Sequence, residues 1–377
     1  MTTGVLLDND SDDKMADTVN YINNNQTNSL QIISTNHHNT IFHCHHNNNA
    51  VTANNDMVNG RLVFTSAYNQ QTEQYDTYIS TIYSTYPVKL FPLTSKHIHT
   101  IHKPGNSNNR MRCKSQLCYI ITYGGGVLAN DSINLSIQLQ SNTTAVLTTQ
   151  TSTKLYKSLS NVQYCVQCMN VVMECNSTLY LTPDPITPYR DSRYIQKQCF
   201  HLTDLSCNLL LIDSYTSGRY GDTDRKERWS MHSYMSMNQI YLNNQVLIHD
   251  TVKLDNTTNM LSIQSRMAQY NIVCMCILIG NKLKPLANYI HSTVQSKHIN
   301  YDHRRHILSG IDPNCIISTS PLYIDINNIN KNTIGTSDII DGVVIRIVSI
   351  NTQLVNQQLR WMFQSIEHEL IAPPWNR

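Results

Sequence analysis

A chain of 377 residues, 40% of them hydrophobic, can bury one large core or two ordinary ones, and its 28 basic against 26 acidic residues leave a formal net charge of +2. So balanced a chain has no bulk attraction for nucleic acid, whose binders usually carry a basic stripe. The longest apolar run, in "NIVCMCILIG", falls well short of the roughly 20 residues a membrane-spanning helix needs, so no span is expected.

The opening "MTTGVLLDNDSDD" is acidic where a secretory signal would be basic, which points to a cytoplasmic protein. The eleven cysteines are odd in number and follow no framework, so they read as reduced thiols. Residues 1–57 form an Asn/His-rich tract with too few apolar residues to offset the entropy of ordering, and a disordered extension is predicted there. Within it "HHNTIFHCHH" gathers His37, His38, His43, Cys44, His45 and His46, side chains that suit transition metals, although the adjacent Asn runs mark compositional bias as the plainer origin.

Residues 58–377 read as one β-rich domain. In "INLSIQLQ" the residues Ile133, Leu135, Ile137 and Leu139 alternate with polar ones, the pattern of a half-buried strand. Further short runs follow at "AVLTTQT", "VQYCVQC", "STLYLTP", "CNLLLID", "NQIYLNNQVLIHD" and "GVVIRIVSI", spaced too closely for intervening helices, so parallel βαβ architecture is not expected. No repeat recurs at a fixed period, so the sequence alone does not support an ordinary solenoid. Two segments carry helical periodicity. "PLANYIHSTV" places Leu286, Tyr289, Ile290 and Val294 on one side, and "TQLVNQQLRWMFQSIEHEL" aligns Val355, Leu359, Met362, Phe363, Ile366 and Leu370, with Pro373 beyond it.

Gly124, Gly125 and Gly126 in "ITYGGGVLAND" resemble the start of a phosphate loop. Such a loop works by leading into a helix N-terminus, whereas these glycines lead into the strand "SINLSIQL" and no Gly-Lys-Ser/Thr follows. A tight turn with positive φ is predicted instead.

The strings "YGGGVLANDSINLSIQL", "AVLTTQTSTKLYKS", "LTPDPITPYRDSRYIQKQCFHL", "LLLIDSYTSGR", "ERW" and "DGVVIRIVSINTQLVNQQLR", in this order, closely resemble the urease accessory protein family UreD (also UreH), in its eukaryotic form, over about residues 59–377. The resemblance implies a non-enzymatic protein with a β-helical, multi-sheet fold, a few α-helices and a C-terminal amphipathic helix. It also implies docking on the urease apoprotein, recruitment of UreF and the GTPase UreG, no tightly bound cofactor, and Ni(2+) in transit toward urease.

Carried onto the motifs, the resemblance makes Asp131, Glu227 and Asp184 candidates for the nickel path, since carboxylates hold Ni(II) loosely enough to release it. Gly218, Arg190, Asp191, Arg193, Arg219 and Arg228 are motif positions with structural parts to play, and Asn130 replaces a motif glycine at a position where Asn tolerates the left-handed conformation. Phe363, Leu359 and Ile366 on the closing helix are expected to meet a partner, with UreF as the candidate. The competing reading is a metal-dependent enzyme or metal-binding protein that uses the His-rich tract and Cys165-x-x-Cys168, although no HExxH motif or nucleophile elbow accompanies them. Cys274-x-Cys276 sits in an apolar run and reads as core.

Overall fold

The computed structural model describes residues 31–36, 39–43, 58–71, 73–93, 115–160, 163–221, 227–256, 261–299, 301–302, 307–308, 313–324 and 341–376. The chain divides into two units, Met1–Met57 and Val58–Arg377. In the first, strands β1 (Gln31–Asn36) and β2 (Asn39–His43) pair antiparallel. The remainder of the predicted disordered extension lies outside the described residues.

The second unit opens with β3 (Gly60–Asn69), β4 (Gln74–Ser84), β5 (Val88–Pro92) and β6 (Gln116–Thr122). Three coils follow, each of three strands: β7 (Gly126–Val127), β8 (Ser132–Leu139) and β9 (Thr144–Thr148); β10 (Lys154–Leu155), β11 (Cys165–Met173) and β12 (Thr178–Leu181); β13 (Thr187–Pro188), β14 (Arg193–Leu202) and β15 (Asn208–Thr216). Corresponding strands of successive coils pair in parallel, β7 with β10 and β10 with β13, β8 with β11 and β11 with β14, β9 with β12 and β12 with β15. This is a short β-solenoid. Among the described residues no βαβ unit occurs, yet the coil strands are parallel all the same, because each crossover is itself made of strands. The coils begin at Gly126, Lys154 and Thr187, unequal steps that hide the repeat from a search for a fixed period.

Two antiparallel additions complete the sheets. Strand β16 (Ser233–Leu242) continues the parallel ladder beside β14 and turns back through β17 (Gln245–Asp255), while β18 (Ile272–Ile279) pairs with β15. After the short pair β19 (Tyr301–Asp302) and β20 (Ile307–Leu308), strands β21 (Cys315–Leu322) and β22 (Gly342–Ser349) extend the second sheet. Among the described residues one sheet therefore runs β17-β16-β14-β11-β8-β3-β4 and the other β21-β22-β18-β15-β12-β9-β6-β5.

The alternation of strands sorts the core into two layers. Leu209 and Leu211 of β15 and Ile277 of β18 face the first sheet, whereas Leu210 and Ile212 of β15 and Cys274, Cys276 and Leu278 of β18 face the helices. The thiols of Cys274 and Cys276 sit 3.9 Å apart in that second layer, as core residues.

The helix Lys284–Ile299 buries Leu283, at its lead-in, with Ala287, Ile290 and Val294. Its phase differs from the predicted one: Tyr289 is more than half exposed and meets Trp361 edge to face at 6.4 Å. The C-terminal helix begins at an Asn351 cap, whose Oδ1 accepts from Leu354 N at 2.9 Å, and runs Thr352–Phe363. One 3₁₀ turn (Gln364–Ile366) and a last helical turn (Glu367–Leu370) follow. Its predicted stripe faces inward: Val355, Leu359, Met362, Phe363 and Leu370 are buried in the second layer, with Ile366 packed at its margin.

Candidate functional site

In each coil the chain leaves the second sheet at the same corner. The corner after β9 supplies Gln150, Thr151 and Ser152, the corner after β12 supplies Asp184, Pro185 and Thr187, and the corner after β15 supplies Thr216, Gly218 and Tyr220. Together with Thr352, at the start of the C-terminal helix, they line an open groove of about 430 Å³ rich in hydroxyl groups. Tyr220 Oη and Thr352 Oγ1 lie 3.4 Å apart. Gly218 makes its corner feasible: its φ is +110°, and a Cβ there would lie 2.8 Å from the Pro188 carbonyl.

Asp184 is fixed on the groove floor, accepting from Thr149 Oγ1 at 2.9 Å while its own N–H donates to the same hydroxyl at 2.8 Å. It also lines a second space, a cavity of about 50 Å³ between the sheets, with Thr149, Thr153, Gln167, Gln196, Gln198 and Asp213. At about 10–15 Å³ per water, that volume holds about three to five waters.

Register explains why this part of the interior is polar. The inward rungs Leu139–Met173–Leu202–Leu242 and Ile137–Val171–Phe200–Ile240 are apolar across four parallel strands. One step along, the rungs become Leu135–Met169–Gln198–Asn238 and Ile133–Gln167–Gln196–Ser236. Asp213 approaches these rungs from β15 on the opposite sheet. Its Oδ2 accepts from Ser236 Oγ at 2.6 Å and Asn238 Nδ2 at 2.8 Å, and its Oδ1 accepts from Gln196 Nε2 at 3.3 Å. Burial pushes the Asp213 carboxyl above the ordinary aspartate value despite these three neutral donors, and among the described residues no cation forms an ion pair with it. Tyr194, Tyr215 and Tyr234 close the next rung around it.

The family model of the UreD urease accessory protein matches residues 60–376. The chain belongs to the UreD family. Urease accessory protein D of rice (Oryza sativa subsp. indica) is 34% identical over 272 residues, covering 68% of this chain and 81% of that protein. Urease accessory protein D of Arabidopsis thaliana is 34% identical over 267 residues, covering 68% and 85%. A urease accessory protein ureD-like chain of Schizosaccharomyces pombe is 31% identical over 213 residues, covering 54% and 67%. Membership of this family of accessory proteins gives the chain a role in urease maturation.

The UreD motif residues separate into groups. Gly124 and Gly125 have φ of 69° and 71° in a 3₁₀ turn that leads into a strand, and Asn130 adopts φ 74°, so the loop is the expected turn. Asp131 caps it: Oδ2 accepts from Leu128 N at 2.8 Å and Oδ1 from Tyr86 Oη at 3.1 Å. It lines neither the groove nor the cavity, and both of its carboxylate oxygens accept hydrogen bonds at the turn. Gly126 brings β7 against the Lys154 backbone.

Glu227 is likewise a strut. Both of its oxygens receive the Arg219 guanidinium, Nε at 2.9 Å, and Oε2 accepts from Arg190 N at 3.3 Å. Burial pushes its carboxyl up, but the Arg219 hydrogen bonds, the Arg190 N–H and the charges of both arginines outweigh this and hold it below the ordinary glutamate value. Arg219 in turn lies over the Tyr189 ring at 4.0 Å, tying the groove corner to the third coil. Arg228 fastens the same loop to Asn271 Oδ1 at 2.5 Å and to the Ala268 and Tyr270 carbonyls. Arg193 is buried with its guanidinium 5.8 Å from the Tyr164 ring centre, while Arg190 and Asp191 are exposed.

Phe363 and Leu359 are core residues of this unit, so their side chains are not offered to a partner; the apolar stripe is used up by the sheet beneath. Cys165 and Cys168 do not converge, because three positions along a strand put them on opposite faces: Cys165 is in the core between the sheets and Cys168 points away. His37, His38, Cys44, His45 and His46 lie outside the described residues, and only the backbone of His43 is described. Among the described residues no group of three His, Cys, Asp or Glu could hold a metal. Of the three carboxylates, Asp184 borders both the groove and the cavity. Asp213, Gln198 and Asn238 were missed, and the available signal was an acid set at an inward position of the apolar run "LLLIDSYT".

Proposed function

We propose that the chain is a non-catalytic scaffold and nickel conduit for urease maturation. It docks on the urease apoprotein, recruits UreF and through it the GTPase UreG, and passes Ni(2+) toward urease through the corner groove, past Asp184, into the polar interior of the solenoid. The observation that carries this reading is that Asp184 borders both the hydroxyl-lined groove and the cavity behind it. Hydroxyl, amide and carboxylate oxygens suit transit, since they hold nickel less firmly than imidazole or thiolate would. A transit route needs sites weak enough to release the ion. The alternative, a metal enzyme built on Cys165 and Cys168, loses its half-site to the strand geometry.

The reading is tested by expressing urease with UreF, UreG and this chain, or without this chain, and measuring urease activity and nickel content. Both should fall sharply when the chain is omitted and return when it is restored. Full nickel content without it would overturn the reading.

A further inference from the structure

The polar rungs contain two acceptors that the fold leaves open. Gln198 Oε1 and Asn238 Oδ1 have no hydrogen-bond partner, although Gln198 and Asn238 are only 4% and 1% exposed. An unsatisfied buried acceptor costs about 1–3 kcal/mol, so two on adjacent positions of one rung call for an occupant. The orientation of the Asn238 amide is not arbitrary: its Nδ2 donates to Asp213 Oδ2 at 2.8 Å, which turns Oδ1 away from that carboxylate oxygen and leaves it open. Gln198 and Asn238 are direct register partners on β14 and β16, and Gln198 and Asp213 line the same cavity.

The donor set is specific. Two amide carbonyls and one carboxylate are all oxygen, carry one formal negative charge when Asp213 is ionised, and face no ammonium or guanidinium partner of Asp213 among the described residues. An anion would meet three acceptors and be repelled. A soft monovalent metal would find no sulfur ligand among them. A hard or borderline divalent cation keeping a few waters fits both charge and chemistry. The volume adds a second constraint: about 50 Å³ cannot hold an ion with a complete shell of six waters, so an ion in this cavity must exchange some of its waters for protein oxygens.

We infer that Asp213 and Gln198, which line the cavity, together with Asn238 at the adjacent register position, form a resting site for one partly hydrated divalent cation inside the solenoid. This rests on the conduit reading for its physiological ion, nickel, and adds to it the place where the ion pauses. Gln196 and Ser236 act as positioning residues, holding the carboxylate through 3.3 and 2.6 Å hydrogen bonds without offering it a counter-charge.

The test uses the purified full-length chain, equilibrium dialysis against Ni(2+), and competition by millimolar Mg(2+), which displaces nickel from oxygen ligands but not from imidazole. Gln198→Met removes one open acceptor at nearly equal volume, so it should melt no lower than the wild type. Asp213→Asn removes the charge while keeping the shape. Each variant should bind the Mg(2+)-displaceable nickel at least tenfold more weakly, or lose one such ion per chain. Wild-type count and affinity in both variants would overturn the proposal and leave only a buried water at the rung. If both variants lose the ion yet co-expressed urease fills with nickel normally, the resting site stands and the conduit reading fails. If they keep the ion while urease loading drops, the reverse holds.

Discussion

Replacing Phe363 with alanine asks directly what the C-terminal helix is for. The ring is fully buried, lies tilted at 38° with its centre 5.6 Å from that of Trp375, and sits with Val355, Leu359 and Met362 against the second sheet. Truncating such a phenylalanine loses its transfer free energy and leaves a cavity, together about 3–5 kcal/mol. Domains of ordinary stability hold about 5–15 kcal/mol in all, so the loss should show as a large fall in the urea midpoint with little change in slope. Partner capture should survive in the fraction that remains folded, because the removed ring faces inward. A loss below about 1 kcal/mol, together with failure to capture UreF, would show that the ring is a contact residue and that its inward packing has been misread.

Other perturbations separate struts from path. Asp131→Asn should retain one of the two capping acceptances, cost about 1 kcal/mol or less, and leave the nickel content of co-expressed urease unchanged; a drop in nickel at intact stability would restore Asp131 to the path. Glu227→Gln should cost about 1.5–3 kcal/mol at neutral pH by weakening its bonds to Arg219. The sign with pH follows from a folded pKa below the ordinary glutamate value: the stabilisation is complete above the unfolded value and disappears as pH falls through the folded one. Urea midpoints of wild type and variant should therefore converge in acid, and a gap that widens toward acid would refute the pairing.

The sequence exposes local structure in this protein more readily than assembly. "INLSIQLQ" announces β8 because alternation is a property of one strand, and the C-terminal stripe announces its helix because one face must find cover. The solenoid is hidden because its coils differ in length and its corners differ in composition, so the stacking of Ile137 on Val171 and Phe200 emerges only from register. Tyr289 was placed on the wrong face for a related reason. The helix starts its buried stripe at Leu283, one residue before its first turn, which rotates the face away from Tyr289.

The site was legible in part. Asp184 stands out in "PDPITPYR" because a carboxylate between two prolines is held at a fixed corner. Asp131 and Glu227 look equivalent to it in sequence, and only their partners tell them apart: a turn amide and a tyrosine for one, an arginine fork for the other. Asp213 is concealed by its apolar neighbours, since the amides that donate to it come from β14 and β16 on the opposite sheet.

The most direct test of the conduit is to plug the groove from its exposed rim. Thr151 is solvent-exposed, lines the groove and lies outside the regular strands, so Thr151→Trp should fill space above Asp184 without disturbing the core. The quantity to measure is nickel per urease active site after co-expression with UreF and UreG, alongside gel filtration of the accessory complex. The complex should assemble as in the wild type while nickel loading falls several-fold. Wild-type loading through a plugged groove would contradict passage by this route.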